Sequence, residues 1–297
     1  MFSGLSAFPL TPISGDGIDE AAFASLVRRL TTAGVDSICA LGSTGSYAYL
    51  TIAERARVAR LAVEHAGGTP VIVGIGAVRT RDVLALADDA QKAGASGVLL
   101  APVSYQKLTG DEVFGLYEAV TRQLSVPLCV YDNPGTTHFE FTDELHGRIA
   151  QLPNVCSIKI PGVPADPAAA KARVDHLRGM IPSHVTIGVS GDACAAIGLN
   201  AGCEAWYSVI GGLFPQVAVA ITRAAQAGHA EEAMRLSDRL KPLWALFGKY
   251  GGSLRVVAAA AELRGLVPSP SLPLPLMAVD GAERQQLAVM LDELGLA

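Results

Sequence analysis

The sequence has few charged residues. They make up 17% of its 297 residues, and the formal net charge is −5. Proteins that bind nucleic acid usually present a dense basic surface to the phosphates, so this charge balance argues against that class. A highly charged disordered chain is excluded as well, because 50% of the residues are hydrophobic and can fill a large core.

Long hydrophobic runs are also missing. No apolar stretch free of glycine, proline and charge reaches about 18 residues, so no transmembrane helix is expected. The chain opens Met1-Phe2-Ser3-Gly4, without the basic region and the apolar core of a secretory signal. These absences predict a soluble protein of the cytoplasm.

Motifs for metal binding and redox chemistry are not found. The 5 cysteines include no CxxC pair, and the 6 histidines form no HExxH or HxH motif. Most cysteines lie in apolar segments, which favours buried free thiols in a reducing compartment over disulfides. A histidine-based metal site is therefore not expected, while carboxylate ligands for a metal stay open.

Short apolar runs recur about eight times along the chain, and an amphipathic stretch follows each run. The runs are continuous rather than alternating, which is typical of parallel strands buried on both faces. The predicted strands span residues 4–8, 37–41, 71–75, 97–101, 127–131, 155–160, 185–189 and 205–209.

The segments between these runs have the signals of helices. Thr51 with Glu54 and Thr109 with Glu112 are spaced as capping boxes. The predicted helices span residues 18–33, 51–65, 80–93, 109–124, 142–152 and 166–178. Strands that alternate with helices about eight times predict an α/β fold, a (β/α)8 TIM barrel.

The last 70 residues or so contain no convincing strand. Helices are predicted at residues 231–250, 253–266 and 281–296, with a proline-rich spacer at 268–275. We therefore expect a catalytic barrel over residues 1–227 and a C-terminal helical appendage over 228–297. An open doubly wound sheet is the main alternative fold, and it is disfavoured because no GxGxxG motif follows the first strand.

Lys159 lies within the sixth predicted strand, whereas the other lysines lie on helices or loops with polar neighbours. The active sites of barrel enzymes lie at the carboxyl ends of the strands. Burial in an apolar strand favours the neutral amine, which is the nucleophile that forms a Schiff base with a ketone or aldehyde. The alternative is a lysine paired with a carboxylate at the barrel rim, for example Asp192.

Tyr131 ends the fifth predicted strand, next to the strand that carries Lys159. Adjacent strands lie about 4.8 Å apart, so the phenol is within reach of the amine. Schiff-base chemistry needs proton transfers, and a tyrosine hydroxyl can supply them. The alternative is a core tyrosine whose hydroxyl simply lies at the end of the barrel.

Two polar loops follow other strands. Residues 42–45 (Gly-Ser-Thr-Gly) offer two hydroxyls and backbone amides to a carboxylate or phosphate, or form a turn that caps a helix. This loop lacks the GK[ST] ending of a P-loop. Residues 190–192 (Ser-Gly-Asp) follow the seventh strand, where the acidic side chain favours a helix cap over a phosphate site.

Together these segments resemble the dihydrodipicolinate synthase / N-acetylneuraminate lyase family of class I pyruvate-dependent aldolases and lyases. The resemblance covers about residues 4–295. It rests on the segments 4–12 (GLSAFPLTP), 42–45 (GSTG), 131–134 (YDNP), 157–159 (SIK), and 190–192 (SGD) with the strand after Gly202. The resemblance implies a barrel enzyme that needs no metal or organic cofactor.

The resemblance implies a role for each matching residue. Lys159 matches the lysine that forms the Schiff base, and Tyr131 matches the tyrosine that relays protons and contacts the bound keto acid. Ser43 and Thr44 match the pair that holds the pyruvate carboxylate, with Thr44 also in the proton relay. Tyr207 stands where the family offers a backbone contact to that carboxylate.

The resemblance also concerns assembly and partners. Tyr105 resembles the relay tyrosine that is contributed across a tight dimer interface. The family is usually tetrameric, so we expect a homotetramer built as a dimer of dimers. The expected partners are small-molecule substrates, pyruvate or another 2-keto acid and an aldehyde, and neither nucleic acid nor a membrane is expected.

The loop after Tyr131 departs from the family pattern. Dihydrodipicolinate synthases carry an arginine that binds the carboxylate of aspartate semialdehyde, whereas this chain has Thr136 and no arginine between Arg122 and Arg148. Loss of a bidentate guanidinium contact weakens the binding of a carboxylate. His138 is a candidate contact to a hydroxylated or aldehyde substrate, or else a solvated loop residue.

The expected function is a Schiff-base lyase or aldolase that condenses or cleaves pyruvate and an aldehyde. Its expected substrates are 2-keto-3-deoxy sugar acids or 4-hydroxy-2-oxo acids. The alternatives are 4-hydroxy-tetrahydrodipicolinate synthase, which joins pyruvate to aspartate semialdehyde, a dehydratase with the same imine chemistry, and a barrel that binds a keto acid without turnover. The aldehyde, the physiological direction and any allosteric control are left open at this level.

Overall fold

The computed structural model describes residues 1–15 and 17–296 of the chain. In this part the strands are β1 (Gly4–Ala7), β2 (Ile13–Ser14), β3 (Gly17–Ile18), β4 (Ser37–Ala40), β5 (Val71–Gly74), β6 (Gly97–Leu100), β7 (Leu128–Tyr131), β8 (Val155–Ile160), β9 (Thr186–Val189) and β10 (Ala205–Ser208). The short strands β2 and β3 pair with each other as an antiparallel ribbon that the sequence did not predict.

The other strands within those described ranges are parallel and close into a barrel. Their order is β1-β10-β9-β8-β7-β6-β5-β4, and β1 pairs with β4 to complete the ring. The predicted TIM barrel is confirmed, and each predicted strand ends within one residue of the observed one. Because the first strand pairs with both the second and the last barrel strand, the open-sheet alternative is wrong.

Helices connect the strands and cover the outside of the barrel. Over the described residues they are α1 (Glu20–Ala33), α2 (Ile52–His65), α3 (Thr80–Lys92), α4 (Gly110–Thr121), α5 (Pro134–Thr137), α6 (Asp143–Ala150), α7 (Pro167–Arg178), α8 (Ala195–Asn200), α9 (Pro215–Gln226), α10 (Ala230–Asp238), α11 (Lys241–Lys249), α12 (Leu254–Leu263) and α13 (Gly281–Glu293). Both predicted capping boxes are present, at the starts of α2 and α4. None of these helices is both long and apolar enough to cross a membrane.

The C-terminal helices α10 to α13 pack into the same hydrophobic cluster as the helices around the barrel. The prediction of one helix over residues 231–250 is wrong, because α10 ends at Asp238 and a new helix, α11, begins at Lys241. Pro242 explains the break, since proline has no amide hydrogen to donate and disfavours helical backbone in the residue before it. α12 is buried over residues 256–261 and anchors the tail.

A second, smaller cluster lies inside the barrel, where alternate residues of the strands point inward. It combines small and sulfur-containing side chains with three aromatic rings near the candidate site, those of Phe8, Tyr131 and Tyr207. The inward register places Tyr131 directly opposite Lys159 on the neighbouring strand, and Lys159 opposite Gly188 on the next one. The barrel therefore presents a lysine among aromatic rings near the carboxyl ends of its strands.

Candidate active site

Lys159 is 3% exposed, and its amine faces aromatic rings. The nitrogen Nζ lies 3.9 Å from the ring centroid of Phe8, 3.9 Å from that of Tyr131 and 5.6 Å from that of Tyr207. Among the described residues it takes part in no ion pair. A buried lysine amine of this kind is a candidate nucleophile for a Schiff base.

Two glycines make room for these rings. A Cβ atom at Gly42 would collide with the ring of Phe8, and one at Gly188 would collide with the ring of Tyr207. Only glycine has no side chain to place there, so the rings of Phe8 and Tyr207 can both approach Lys159. Phe8 was missed by the sequence analysis, since an apolar residue at the end of a strand gives no signal beyond burial.

The alternative in which Lys159 pairs with the carboxylate of Asp192 is not found, because that carboxylate has other partners. Its carboxylate accepts hydrogen bonds from Trp206 Nε1 at 3.0 Å and Ser208 Oγ at 3.1 Å. It also accepts from the amides of Val209 at 3.2 Å and Ile210 at 2.7 Å. Asp192 thus binds the amides of the turn that follows the last barrel strand, and the helical turns after its own loop have no side-chain cap.

Tyr131 is 7% exposed, and its hydroxyl oxygen meets two polar groups. Asn133 Nδ2 donates to Tyr131 Oη at 2.9 Å, and Ser43 Oγ lies 3.4 Å from the same oxygen. Thr44 is buried on the same loop, yet the hydroxyl that contacts Tyr131 belongs to Ser43. Within the described chain, no hydrogen bond joins Thr44 to Tyr131.

The loop that carries Ser43 and Thr44 is a 3₁₀ turn at Ser43–Gly45. The amide of Gly45 bonds to the carbonyl of Gly42, and that of Ser46 bonds to the carbonyl of Ser43. The first N–H groups of such a turn have no partner inside it. They can bind an anionic oxygen at the mouth of the barrel.

Tyr207 is fully buried and belongs to a hydrogen-bonded group inside the barrel. Its Oη lies 2.7 Å from Ser157 Oγ, and Cys129 Sγ donates to it at 3.3 Å. Thr186 Oγ1 in turn donates to Ser157 Oγ at 2.9 Å. Burial raises the pKa of Cys129 to about 11 and holds the pKa of Tyr207 well above its usual range, so both groups stay neutral.

Three other predicted site residues lie at the surface. Thr136 is exposed on α5, where its Oγ1 accepts a hydrogen bond from Asn133 Nδ2 at 3.0 Å. His138 ends α5 in the left-handed conformation, with a φ of 58°, and is exposed. Tyr105 is 92% exposed in the loop after β6, so it does not reach the site within one chain.

A buried acid and a buried imidazole lie directly behind the site. Asp132 follows Tyr131, and its Oδ2 is 3.5 Å from His146 Nε2, with exposed fractions of 6% and 1% for the two residues. The ring of His146 stacks on Phe141 with centroids 4.9 Å apart. Burial raises the pKa of Asp132 to about 7 and lowers the pKa of His146 to about 4. Asp132 lies in the matching segment 131–134 and His146 lies outside the matching segments, and the sequence analysis assigned a role to neither.

No group of three or more histidine, cysteine, aspartate or glutamate side chains in the described residues is placed to hold a metal ion. The polar groups that meet at the outer end of Tyr131, whose ring contacts Lys159, are two hydroxyls and a carboxamide, those of Tyr131, Ser43 and Asn133. Such an arrangement can hold a small carboxylic acid, accept its carbonyl carbon on the amine and move protons between hydroxyl groups.

Comparison with known proteins yields consistent matches over the whole chain. A family model described as "Dihydrodipicolinate synthetase family" matches residues 1–294. The 4-hydroxy-tetrahydrodipicolinate synthase of Parvibaculum lavamentivorans is 32% identical over 299 residues, which cover 100% of this chain and 99% of that protein. The synthase of the same name from Persephonella marina is 31% identical over 301 residues, with the same coverage.

A solved structure is similar as well. The crystal structure of dihydrodipicolinate synthase from Agrobacterium tumefaciens matches with a TM-score of 0.94 and 45% sequence identity. The match covers 99% of this chain and 98% of that chain. The similarity therefore extends to both the sequence and the arrangement of the barrel with its C-terminal helices.

Proposed function

Since this chain belongs to the dihydrodipicolinate synthetase family, we propose that Lys159 forms an imine with pyruvate and that Tyr131 relays the protons. The family membership makes the chain a carbon–carbon lyase of the class I aldolase type, and it confirms the resemblance drawn from the motifs. The observation that carries the residue assignment is the buried amine of Lys159, 3.9 Å from the ring centroid of Tyr131.

The proposed reaction begins when the amine of Lys159 attacks the keto carbon of pyruvate. The resulting carbinolamine loses water, with the departing hydroxyl taking a proton from Tyr131, and becomes an iminium ion. This ion withdraws electrons from the methyl group, so that loss of a methyl proton gives an enamine. As the enamine carbon attacks the aldehyde, the iminium ion re-forms and the aldehyde oxygen takes a proton from Tyr131. Water then adds to the iminium carbon, and cleavage of the C–N bond releases the product and the free amine of Lys159. Cleavage follows the same steps in reverse.

We assign the pyruvate carboxylate to the loop of Ser43 and Thr44. Hydroxyl groups and the unpaired first amides of the 3₁₀ turn are suitable donors for a carboxylate. Ser43 Oγ lies 3.4 Å from Tyr131 Oη, so a carboxylate bound there would lie beside the proton relay. Tyr207 stands opposite Ser6 in the barrel, and its main chain is the proposed third contact.

For the second substrate, the first candidate is aspartate semialdehyde. The curated relatives that match the whole chain are named 4-hydroxy-tetrahydrodipicolinate synthase, so they support this alternative better than the sugar-acid reading. The Agrobacterium structure at 45% identity carries the equivalent name. We therefore place the synthase reaction first.

A specific observation favours the second candidate, a 2-keto-3-deoxy sugar acid or 4-hydroxy-2-oxo acid. The turn after Tyr131 presents the neutral hydroxyl of Thr136 at the surface, and no arginine lies between Arg122 and Arg148. A neutral hydroxyl matches a hydroxylated aldehyde better than a carboxylate. Steady-state assays with both aldehydes, each in the presence of pyruvate, separate the two candidates.

Thr136→Arg tests this assignment directly. A guanidinium at this position adds a charge-assisted contact to a carboxylate, so we expect kcat/KM for aspartate semialdehyde to rise by at least about tenfold. The gain should shrink as salt is added, because the position is exposed. Thr136→Gln, which is long but uncharged, is the control. An equal gain with glutamine would contradict the electrostatic explanation.

Imine formation is tested by trapping. The protein is incubated with pyruvate, reduced with borohydride, digested and analysed by mass spectrometry. We expect a reduced pyruvyl adduct on Lys159 and none in Lys159→Ala. If saturating pyruvate leaves no adduct on the native protein, the pyruvate assignment fails, and the keto-acid-binding barrel without turnover becomes the better interpretation.

For the assembly, we propose the homotetramer that is usual in this family, with Tyr105 reaching the active site of a neighbouring protomer. Three exposed apolar side chains support an interface at this end of the barrel, namely Tyr49, Val78 and Tyr105. Their loops adjoin, since a Cβ at Gly76 would contact both Val103 and the ring of Tyr47.

A mixing experiment tests this sharing of residues. Lys159→Ala and Tyr105→Phe are each expected to be nearly inactive, but their mixture should regain activity after subunit exchange. In a mixed dimer one site combines the intact Lys159 of one protomer with the intact Tyr105 of the other. If the mixture stays as inactive as its components while sedimentation shows mixed oligomers, Tyr105 does not act across the interface.

For the compartment, we propose the cytoplasm. The five cysteines are free thiols, and those at Cys39, Cys129 and Cys203 are buried. Burial raises the pKa of Cys203 to about 12, so its thiol stays protonated and unreactive. Free thiols of this kind agree with a reducing environment.

A further inference from the structure

Asn133 is held rigidly at the end of β7, two residues after Tyr131. Its main-chain carbonyl accepts hydrogen bonds from the amides of Thr136 and Thr137, both at 3.0 Å, and from Thr137 Oγ1 at 3.0 Å. Pro134 begins α5 directly after it, with its backbone torsion restricted by the ring. The main chain alone therefore fixes where the side chain of Asn133 begins.

The carboxamide of Asn133 meets three hydroxyl oxygens. Its Nδ2 donates to Tyr131 Oη at 2.9 Å, to Thr136 Oγ1 at 3.0 Å and, at a longer distance of 3.4 Å, to Ser43 Oγ. A carboxamide nitrogen has two hydrogens, so the two short bonds use both of them. The hydroxyls of Tyr131 and Thr136 are therefore acceptors toward Asn133.

This direction of donation matters for Tyr131. Because Tyr131 Oη accepts from Asn133, its own hydrogen must point to another acceptor. Ser43 Oγ, at 3.4 Å, is a distant acceptor, so the hydrogen is available to a bound reactant. The same N–H also lies where it can stabilise negative charge on the phenol oxygen.

We propose that Asn133 is a positioning residue for the proton transfers of Tyr131, which rests on the function proposed above. When the carbinolamine loses water, its C–O bond breaks and the lone pair of the nitrogen forms the C=N bond. The departing hydroxyl takes the proton of Tyr131 and leaves as water, so that an iminium ion and a phenolate remain. The N–H of Asn133 stabilises that phenolate, which later recovers its proton from the methyl carbon of the iminium.

Two substitutions separate this role from simple packing. Asn133→Asp keeps the shape but replaces the donor by a carboxylate, which only accepts, and Asn133→Leu removes all hydrogen bonding. Loss of one donor to a developing oxyanion typically lowers kcat by about 10² to 10³. We expect kcat to fall by about 10²-fold in Asn133→Leu and by more in Asn133→Asp. In both variants KM for pyruvate should stay within about threefold of the native value.

The pH dependence supplies the second readout. A carboxylate beside the phenol opposes formation of the phenolate, so the basic limb of the kcat profile should move to higher pH in Asn133→Asp. The same exchange of amide for acid at the exposed Gln286 on α13, Gln286→Glu, is the matched control. We expect this control to keep the native profile and the native kcat.

The outcomes are distinct because imine trapping is measured on every variant. Asn133→Leu should still give the pyruvyl adduct on Lys159 under long incubation, but the adduct should accumulate about 10²-fold more slowly. If both variants keep kcat, trapping rate and pH profile within twofold of the native protein, the proposal is wrong. A rise in KM for pyruvate with unchanged kcat also overturns it, since Asn133 would then bind substrate instead of positioning Tyr131. Failure of the native protein to form any adduct would overturn the proposed function, and with it the role of Asn133.

Discussion

Exchange of Lys159 for arginine removes turnover, and we expect kcat to fall by about 10⁴-fold or more. A guanidinium is charged at every accessible pH and offers no lone pair to a keto carbon, so no imine can form. The variant can place its guanidinium against the rings of Phe8 and Tyr131, whose centroids each lie 3.9 Å from Nζ in the native protein. Its fold should therefore survive.

The measurement combines kcat, borohydride trapping and thermal unfolding of Lys159→Arg with those of Lys159→Met. Methionine fills the site without charge, and both variants should lose the pyruvyl adduct completely. A residual kcat within about 10² of the native value, with a normal unfolding curve, would mean that the reaction does not pass through an imine on Lys159. An adduct on another lysine would assign the chemistry to that residue.

His146→Phe and Asp132→Asn should change the pH dependence of stability in opposite directions. The pKa of Asp132 is about 7 in the fold, against an ordinary value of 3.8, so the folded protein binds the extra proton between these pH values. The contribution of Asp132 to the free energy of unfolding therefore falls as pH rises through this range. The pKa of His146 is about 4 in the fold, against 6.5, so stability from His146 rises with pH between about 4 and 6.5.

In the native protein the two contributions nearly cancel between pH 4 and 6.5. The difference in the free energy of unfolding between His146→Phe and the native protein should fall by about 3 kcal/mol as the pH rises from 4 to 6.5. The reason is that a contribution that rises with pH has been removed. The corresponding difference for Asp132→Asn should rise by about 4 kcal/mol as the pH rises from 4 to 7, because a contribution that falls with pH has been removed. Phenylalanine can keep the stacking on Phe141, which lies 4.9 Å from His146.

Urea unfolding of the three proteins at pH 4.5, 5.5, 6.5 and 7.5 measures these differences (m-values should agree among them). The charged neighbours of the pair are Glu140, Asp143 and Arg173, with His176 paired to Asp143 at 3.3 Å. They are present in all three proteins, so each variant removes only one titrating group together with its interactions with these neighbours. Parallel curves for both variants and the native protein would show that the pair does not titrate as described.

Much of the fold follows from local patterns in the chain. The continuous apolar runs identify the barrel strands, because a strand covered on both faces has no polar side, and each was located to within one residue. The capping boxes at Thr51 and Thr109 mark the starts of α2 and α4 for an equally local reason. Pro242 divides the helix predicted over residues 231–250, although its own position was visible in the sequence.

The site was recognised only in part from the sequence. Lys159 stands out because a lysine inside an apolar strand is unusual, and Tyr131 because it ends the next strand. Phe8 and Asn133 lie in the matching segments 4–12 and 131–134, but neither was assigned a role, since an apolar residue and a turn-forming amide are common at those places. The contact between Asp132 and His146 was not predicted either, because the two residues lie 14 positions apart in the chain and no local pattern joins them.

The sequence by itself determined the alternation of strands and helices, the strand position of Lys159, and the family. Each of these depends on residue type and spacing along a short stretch, which local preferences and burial control. Only the tertiary structure decided which groups touch the amine. The ring of Phe8 comes from the start of the chain and Tyr207 from the last strand, and they meet at Lys159 because β1 and β10 pair to close the barrel. Such contacts join residues far apart in sequence, so barrel closure alone brings them into range.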